Sequence, residues 1–236
     1  MLNSIGLQNP GVEFFMENDL PWLKKFDTKI IVNACGSSIE EYVELAKVLN
    51  TLDIDGVELN LSCPNVKAGC MAFGTSYEGV KEVTSQVKKV LDKPLIVKLT
   101  PNVTDITLPA KGAEDAGADG VSLINTLLGM SIDIEKRRPI LANNMGGLSG
   151  PAVKPVAVRM VYQVAQAVKI PILGLRRNSR RKRCYRIHDC RSNSHINRNR
   201  QFYRTRNKYK SNKRSRRVFR KTPNRRYKRA NSEVSK

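Results

Sequence analysis

Residues 56–65 read GVELNLSCPN. The first six are an apolar run too short for a helix and suited to a buried strand. Asn60, Ser62, Cys63 and Asn65 then crowd reactive and hydrogen-bonding side chains at its end. Four further runs have the same character: KIIVN at 29–33, LIVKL at 95–99, GVSLI at 120–124 and IPILG at 170–174. Between them, residues 38–52, 77–91, 105–116 and 151–168 carry apolar side chains at three-to-four spacing, as helices packed on a sheet do. A repeating strand-helix alternation predicts an α/β fold with a parallel sheet.

Two features favour a TIM (β/α)8 barrel over an open sheet. Polar residues gather just past the strands (Asn33, Asn60, Ser62, Cys63, Thr100, Asn125, Thr126), where a barrel keeps its chemistry. No GxGxxG turn follows a first strand, as a dinucleotide-binding open sheet would require. Five strands are legible where a barrel needs eight, so the expectation is an incomplete barrel. Residues 127–150 exceed what a barrel loop needs. Their centre, IDIEKRRPILANN at 132–144, is expected to form a small hairpin, and GGLSGPA at 146–152 to be a glycine-rich loop entering a helix at Pro151.

The composition changes abruptly after Gly174. Of the 42 Lys and Arg residues, 25 lie in 175–236, against two of the 21 acidic residues, so the formal charge of +21 belongs to this last quarter. Eighteen of those 25 are Arg, where residues 1–174 hold three, and the segment has no helical or alternating apolar period. One reading is a nucleic-acid-binding tail, with Tyr203, Tyr209, Phe219 and Tyr227 stacking on bases between phosphate-binding cations. The other is a change of reading frame. Read one base later, synonymous codons for 188–210 permit MIAGATAISIGTANFIEPEISIK, and those for 176–187 permit GGIQEERDAIEF. The first contains an apolar strand and a Gly-Thr turn, the second a glycine turn and an amphipathic helix start. The shifted reading is preferred. It divides the chain into a partial barrel domain at 1–174 and a basic tail at 175–236, expected to be disordered because its charge cannot offset the entropy of ordering.

Residues 1–174 contain no histidine, since His188 and His195 both lie in the tail. Histidine triads, HExxH zinc chemistry and imidazole bases are thereby excluded from the barrel. Five cysteines without CxxC spacing indicate neither a disulfide framework nor a zinc site. With no secretory leader and no membrane-spanning apolar run, a cytoplasmic protein is expected.

Cys63, beside Ser62 and Pro64 on a stiff loop, reads either as a small buried hydrophobe or as part of a ligand site. The amides and hydroxyls around it favour a ligand with several carbonyl and N–H groups. Lys98, inside a buried strand, calls for an anionic partner.

The motifs NLSCPN at 60–65, NSIGLQNPG at 3–11, VKLTPNVTD at 97–105, INT at 124–126 and GGLSGPAVKPVA at 146–157 together resemble class 1 dihydroorotate dehydrogenases, particularly the NAD-linked two-subunit type. The shifted GGI and IGTAN segments match as well. The resemblance implies an FMN-dependent oxidation of dihydroorotate to orotate in pyrimidine biosynthesis. Cys63 would be the catalytic base. Asn33, Asn60, Lys98, Ile124 and Gly150 would contact FMN. Asn3, Ser4, Ile5, Gly6, Leu7, Asn60, Asn65, Asn125 and Thr126 would hold the substrate. It further implies a homodimeric core and a partner iron–sulfur flavoprotein whose FAD and 2Fe–2S cluster pass electrons to NAD. The family's first strands would precede Met1, about two strand-helix units of ~30 residues each, and its FMN-phosphate loops would occupy the tail in the shifted frame. This copy is therefore expected to be a fragment of doubtful activity. The alternatives are another FMN-dependent oxidoreductase acting on a pyrimidine ring and a nucleic-acid-binding protein acting through the tail.

Overall fold

The structure, a computed structural model, describes residues 1–62 and 73–175. It opens with a short strand β1 (Leu2–Asn3), then α1 (Val12–Phe14), a π-helical turn at Phe15–Asp19 and α2 (Leu20–Leu23). The alternating part follows as β2 (Ile31–Ala34), α3 (Ile39–Thr51), β3 (Gly56–Asn60), α4 (Tyr77–Lys88), β4 (Leu95–Lys98), α5 (Thr107–Asp115) and β5 (Gly120–Leu123). An excursion of short strands comes next: β6 (Leu127–Met130), β7 (Ile132–Asp133), β8 (Arg138–Pro139) and β9 (Met145–Leu148). A 3-10 turn at Pro151–Val153 leads into α6 (Lys154–Ala167), and β10 (Ile172–Gly174) closes the described chain.

The main sheet is parallel, ordered β2-β3-β4-β5-β10, which is also chain order. Parallel crossovers share one hand, so an order that never reverses sends every connecting helix to the same face. Consecutive helices accordingly pack on one another, α3 on α4, α4 on α5 and α5 on α6. This is the wall of a TIM-type barrel: helices outside, the opposite sheet face turned inward. The two faces differ chemically as that arrangement requires. Val57, Leu59, Val97, Val121 and Leu123 lie fully buried under the helices with Val80, Val83, Ala110, Ala113 and Val164. On the other face Glu58, Asn60, Lys98 and Ser122 stand in alternate positions.

Local chemistry fixes the helix starts. Ser38 Oγ accepts from Glu41 N–H at 3.3 Å, and Ser76 Oγ from Gly79 N–H at 3.0 Å, each supplying an acceptor to an otherwise orphaned donor. The Glu41 carboxylate takes Ser37 Oγ–H at 2.6 Å and Ser37 N–H at 2.7 Å, and these bonds hold it below the usual carboxylate range.

The packing of α4 against α5 depends on Gly112, where a Cβ would run into the Tyr77 carbonyl oxygen. Alanine favours a helix interior over glycine by about 1 kcal/mol. Forcing two backbones apart in a packed core costs about 1–3 kcal/mol, so the steric cost wins. Gly112→Ala should lower the urea midpoint of unfolding; an unchanged or raised midpoint would show that α5 moves freely on α4.

The expected strands and helices are present, shortened by one to three residues at most ends. The hairpin expected within 132–144 is β7 paired with β8, Ile132 opposite Pro139. Two expectations need correction. The helix starts at Lys154, because Pro151 enters a 3-10 turn and Pro155 then occupies the first turn of α6. Residues 146–148 are strand, not loop: β9 pairs antiparallel with both β1 and β6, and the missing side chains are what permit it. A Cβ on Gly146 would strike the Asn3 carbonyl, and one on Gly147 the Thr126 hydroxyl. The tail expectation falls on residues 176–236, outside the described residues.

Candidate active site at the strand ends

The C-terminal ends of β2 to β5 carry a connected set of polar side chains. Register places Asn33 opposite Glu58 across β2 and β3, and Asn60, Lys98 and Ser122 abreast across β3, β4 and β5. Glu58 is half-buried, and both its oxygens accept: Oε2 from Asn33 Nδ2 at 2.6 Å and Oε1 from Ser122 Oγ at 2.6 Å. Asn33 Oδ1 accepts from Asn60 Nδ2 at 3.2 Å and from the Cys35 thiol at 3.5 Å. Asn60 Oδ1 in turn accepts from Ser62 N–H at 3.2 Å and Ser62 Oγ–H at 2.6 Å. Asn125 donates through Nδ2 to Ser62 Oγ at 2.9 Å and to the Ser62 carbonyl at 2.8 Å, and its Oδ1 accepts from Thr126 N–H at 2.9 Å.

Asn60, Ser62 and Ser122 are almost wholly buried, so these bonds are obligatory: an unpaired buried polar group costs about 1–3 kcal/mol. The backbone carbonyl of Asn60 is satisfied from behind, by the buried Tyr42 hydroxyl at 2.9 Å. Lys98 is half-buried at the end of β4, between Asn60 and Ser122 in register. Ile124 is fully buried beside this row.

The N-terminal candidates reach the same region through the small sheet. Asn3 pairs with Gly147 in β9, which pairs with Leu128 in β6, and β6 starts directly after Asn125 and Thr126. The Thr126 side chain fills the place of a Gly147 side chain, so Asn3 and Thr126 both border one glycine. Ser4 to Leu7 continue from β1. Leu7 holds a left-handed φ of 62°, fixed by Asn9 Nδ2 donating to its carbonyl at 2.7 Å. Such backbone strain in a non-glycine residue gathers at ligand-contacting loops. Gly150, with φ at 133°, sits beside Met1 at the entry to the 3-10 turn. Cys63 and Asn65 lie outside the described residues.

Three contributors escaped the sequence reading. Glu58 lies inside the stretch GVELNLSCPN but was assigned no role, although a charge two residues from Asn60 in a strand must share its face. Ser122 looked like an ordinary strand residue. Asn102 secures the excursion: its Nδ2 donates to the Thr126 carbonyl at 3.1 Å and its Oδ1 accepts from Leu128 N–H at 2.8 Å.

Among the described residues no helix is long and apolar enough to cross a membrane. The sequence profile described as Dihydroorotate dehydrogenase matches residues 1–175. Over 175 residues the chain is 66% identical to a protein of Alkaliphilus metalliredigens named dihydroorotate dehydrogenase B (NAD(+)), catalytic subunit, and 63% identical to one of the same name from Alkaliphilus oremlandii. A Bacteroides thetaiotaomicron protein of that name is 59% identical over 176 residues. Each alignment takes in 74% of this chain and 58% of the relative, so the chain spans little more than half the length of these relatives. The matched region stops at the composition seam, and with a strand-end amide cluster built from the same motifs it places the chain in the dihydroorotate dehydrogenase family, class 1B.

Proposed function

We propose that residues 1–174 carry the substrate-handling half of an FMN-dependent dihydroorotate dehydrogenase, oxidising (S)-dihydroorotate to orotate. The observation that carries this reading is the connected amide row at the strand ends, exposed at Asn33, buried at Asn60 and half-buried at Asn125, with a half-buried lysine in register beside it. A planar ligand edged with carbonyls and N–H groups fits such a row, and both dihydroorotate and the flavin ring have that edge. The residues present therefore fit FMN: Asn33, Asn60, Lys98, Ile124 and Gly150 would hold it. When bound, FMN supplies the acceptor for the hydride leaving C6 of dihydroorotate.

The remaining work falls to the chain. Asn3, Asn60, Asn65, Asn125 and Thr126, with the Ser4–Leu7 turn, orient the substrate's carboxylate and ring amides. Cys63 takes the C5 proton as the C5–C6 double bond forms. A thiol, with an ordinary pKa of about 8.5, needs only modest activation for this near neutral pH. Burial of Asn60, Ser62 and Ser122 strengthens the polar contacts they make. Electrons would leave through a partner subunit bearing FAD and a 2Fe–2S cluster, to NAD, around a homodimeric catalytic core in the cytoplasm. The relatives' name, a NAD(+)-linked catalytic subunit, supports a partner of this kind.

The basic tail is read as the product of a frame change near Leu175. The profile match ending at 175 supports this, and sequencing the gene across that codon tests it. Nucleic acid would meet the tail only non-specifically and salt-sensitively.

The activity is tested by grafting residues 1–174 into the Alkaliphilus metalliredigens subunit in place of its matching segment. Dihydroorotate should bleach the bound flavin and dihydrouracil, which lacks the carboxylate, should not. Equal reduction by both would replace this reading with a broader pyrimidine oxidoreductase.

A further inference from the structure

The hydrogen bonds at the strand ends all run one way. Asn33 donates to Glu58, Asn60 to Asn33, Ser62 to Asn60, Asn125 to Ser62, and Thr126 N–H to Asn125. An asparagine amide has an acceptor end and a donor end of nearly equal shape, so geometry alone does not decide which way it faces. A carboxylate does decide, because it only accepts. With both Glu58 oxygens accepting, Asn33 must turn its NH2 toward Glu58 and therefore its carbonyl toward Asn60. Asn60 must then give its NH2 to Asn33 and its carbonyl to Ser62, whose backbone N–H independently demands an acceptor there. Ser62 is left to accept from Asn125.

We propose that Glu58 is a positioning residue that fixes the donor–acceptor polarity of Asn33, Asn60 and Asn125, and with it which edge of each amide a ligand meets. Glu58 lies two side chains from Ser62 and three from Asn125 along this relay, so it acts without touching either. The consequence is specificity. A site built to donate to a ring carbonyl rejects a ring that offers N–H at the same place, because the mismatch leaves buried groups unpaired. The polarity itself is a property of the chain; only the identity of the ligand rests on the flavin and dihydroorotate reading.

The test follows from what each substitution leaves behind. Glu58→Met keeps bulk and removes both acceptors. Glu58→Gln keeps a carbonyl for Asn33, and its amide can face Ser122, whose hydroxyl turns to accept. On the 15N-labelled full chain, Glu58→Met should speed hydrogen exchange of the Asn60 side-chain amide about tenfold, the value of one net hydrogen bond. It should also shift the Asn125 side-chain resonances, although residue 58 does not contact Asn125. Glu58→Gln should restore both. Unchanged Asn60 and Asn125 signals in Glu58→Met would overturn the proposal by reducing Glu58 to filler. Equal damage in Glu58→Gln would overturn it by making charge the operative property. If Glu58→Met does not fold, Asn33→Leu cuts the relay one residue later and must move Asn60 and Asn125 in the same way; if they stay put, the relay does not exist. The measurement uses no flavin, so its failure leaves the proposed activity standing, and the failure of that activity leaves the relay standing.

Discussion

Replacing Cys63 by alanine in the grafted full-length subunit is expected to slow dihydroorotate oxidation by roughly 10²–10⁴-fold, the usual contribution of a positioned general base, while FMN stays bound. The expectation is large because the segment offers no imidazole, and the resemblance puts the proton on Cys63. Residues 1–174 contain no histidine. Of the other cysteines in that segment, Cys35 stands at the end of β2 with its thiol turned to Asn33 Oδ1. That bond ties Cys35 to the amide row. Cys63 comes directly after Ser62, whose place at the end of β3 is fixed by Asn60 and Asn125. Cys63→Ser should recover activity only at high pH, since a hydroxyl is a far weaker acid than a thiol. Cys35→Ala should leave the rate within a few fold. Stopped-flow traces that are the same for Cys63→Ala and the parent across the pH range would remove Cys63 from the mechanism.

What the sequence disclosed, and what it hid, follows from how burial writes itself into a chain. The five parallel strands were legible as short continuous apolar runs such as LIVKL, and the central three, β3 to β5, are the ones buried on the helix side. Their ends were less exact for a local reason. Residues 29 and 30 read as strand, yet Asp55 takes the Lys29 ammonium at 2.6 Å and the Ile30 N–H at 2.9 Å, so ladder pairing begins only at Ile31. The small sheet of β1, β9 and β6 was not legible. Its strands are two to four residues long and rich in glycine, and their exposed positions are apolar at Leu128, Met130 and Met145, so no alternation of apolar and polar residues marks them. The helical stretch from Val12 to Leu23 was missed for a similar reason: Phe14, Met16 and Trp22 are exposed alongside the polar residues, so apolar and polar positions do not separate onto two faces.

The site divides along the same line. Asn60, Asn125 and Thr126 could be named because polar residues past an apolar run have few structural reasons to be there. Glu58 and Ser122 could not, because their roles arise from a bond that crosses β4 between residues 64 positions apart. Register between strands is a tertiary fact, and a charge inside a strand becomes informative only once its neighbours are known. Lys98 was recognised for the opposite reason, the cost of a buried ammonium being evident from the run that contains it.

Lys98 also carries the second large expectation. Its place between Asn60 and Ser122 puts a cation in the row that would face the flavin ring, where negative charge collects as the ring is reduced. A fixed charge aimed at developing charge in a water-poor site contributes about 10²–10³-fold to rate. Lys98→Met in the grafted subunit should therefore slow reduction by about that factor. A slower rate alone could come from a disturbed fold, so the discriminating measurement is the midpoint potential of the bound flavin. Removing a cation that favours the reduced form by ten- to a hundredfold should lower that potential by about 30–60 mV for a two-electron couple. Lys98→Arg, which keeps the charge but spreads it over a larger planar head, should restore most of the potential and only part of the rate. Should Lys98→Met leave the potential where it was and still bind FMN tightly, the lysine serves the strand row by packing and not the flavin by charge, and the acceptor side of the proposed site would have to be sought elsewhere among the strand ends.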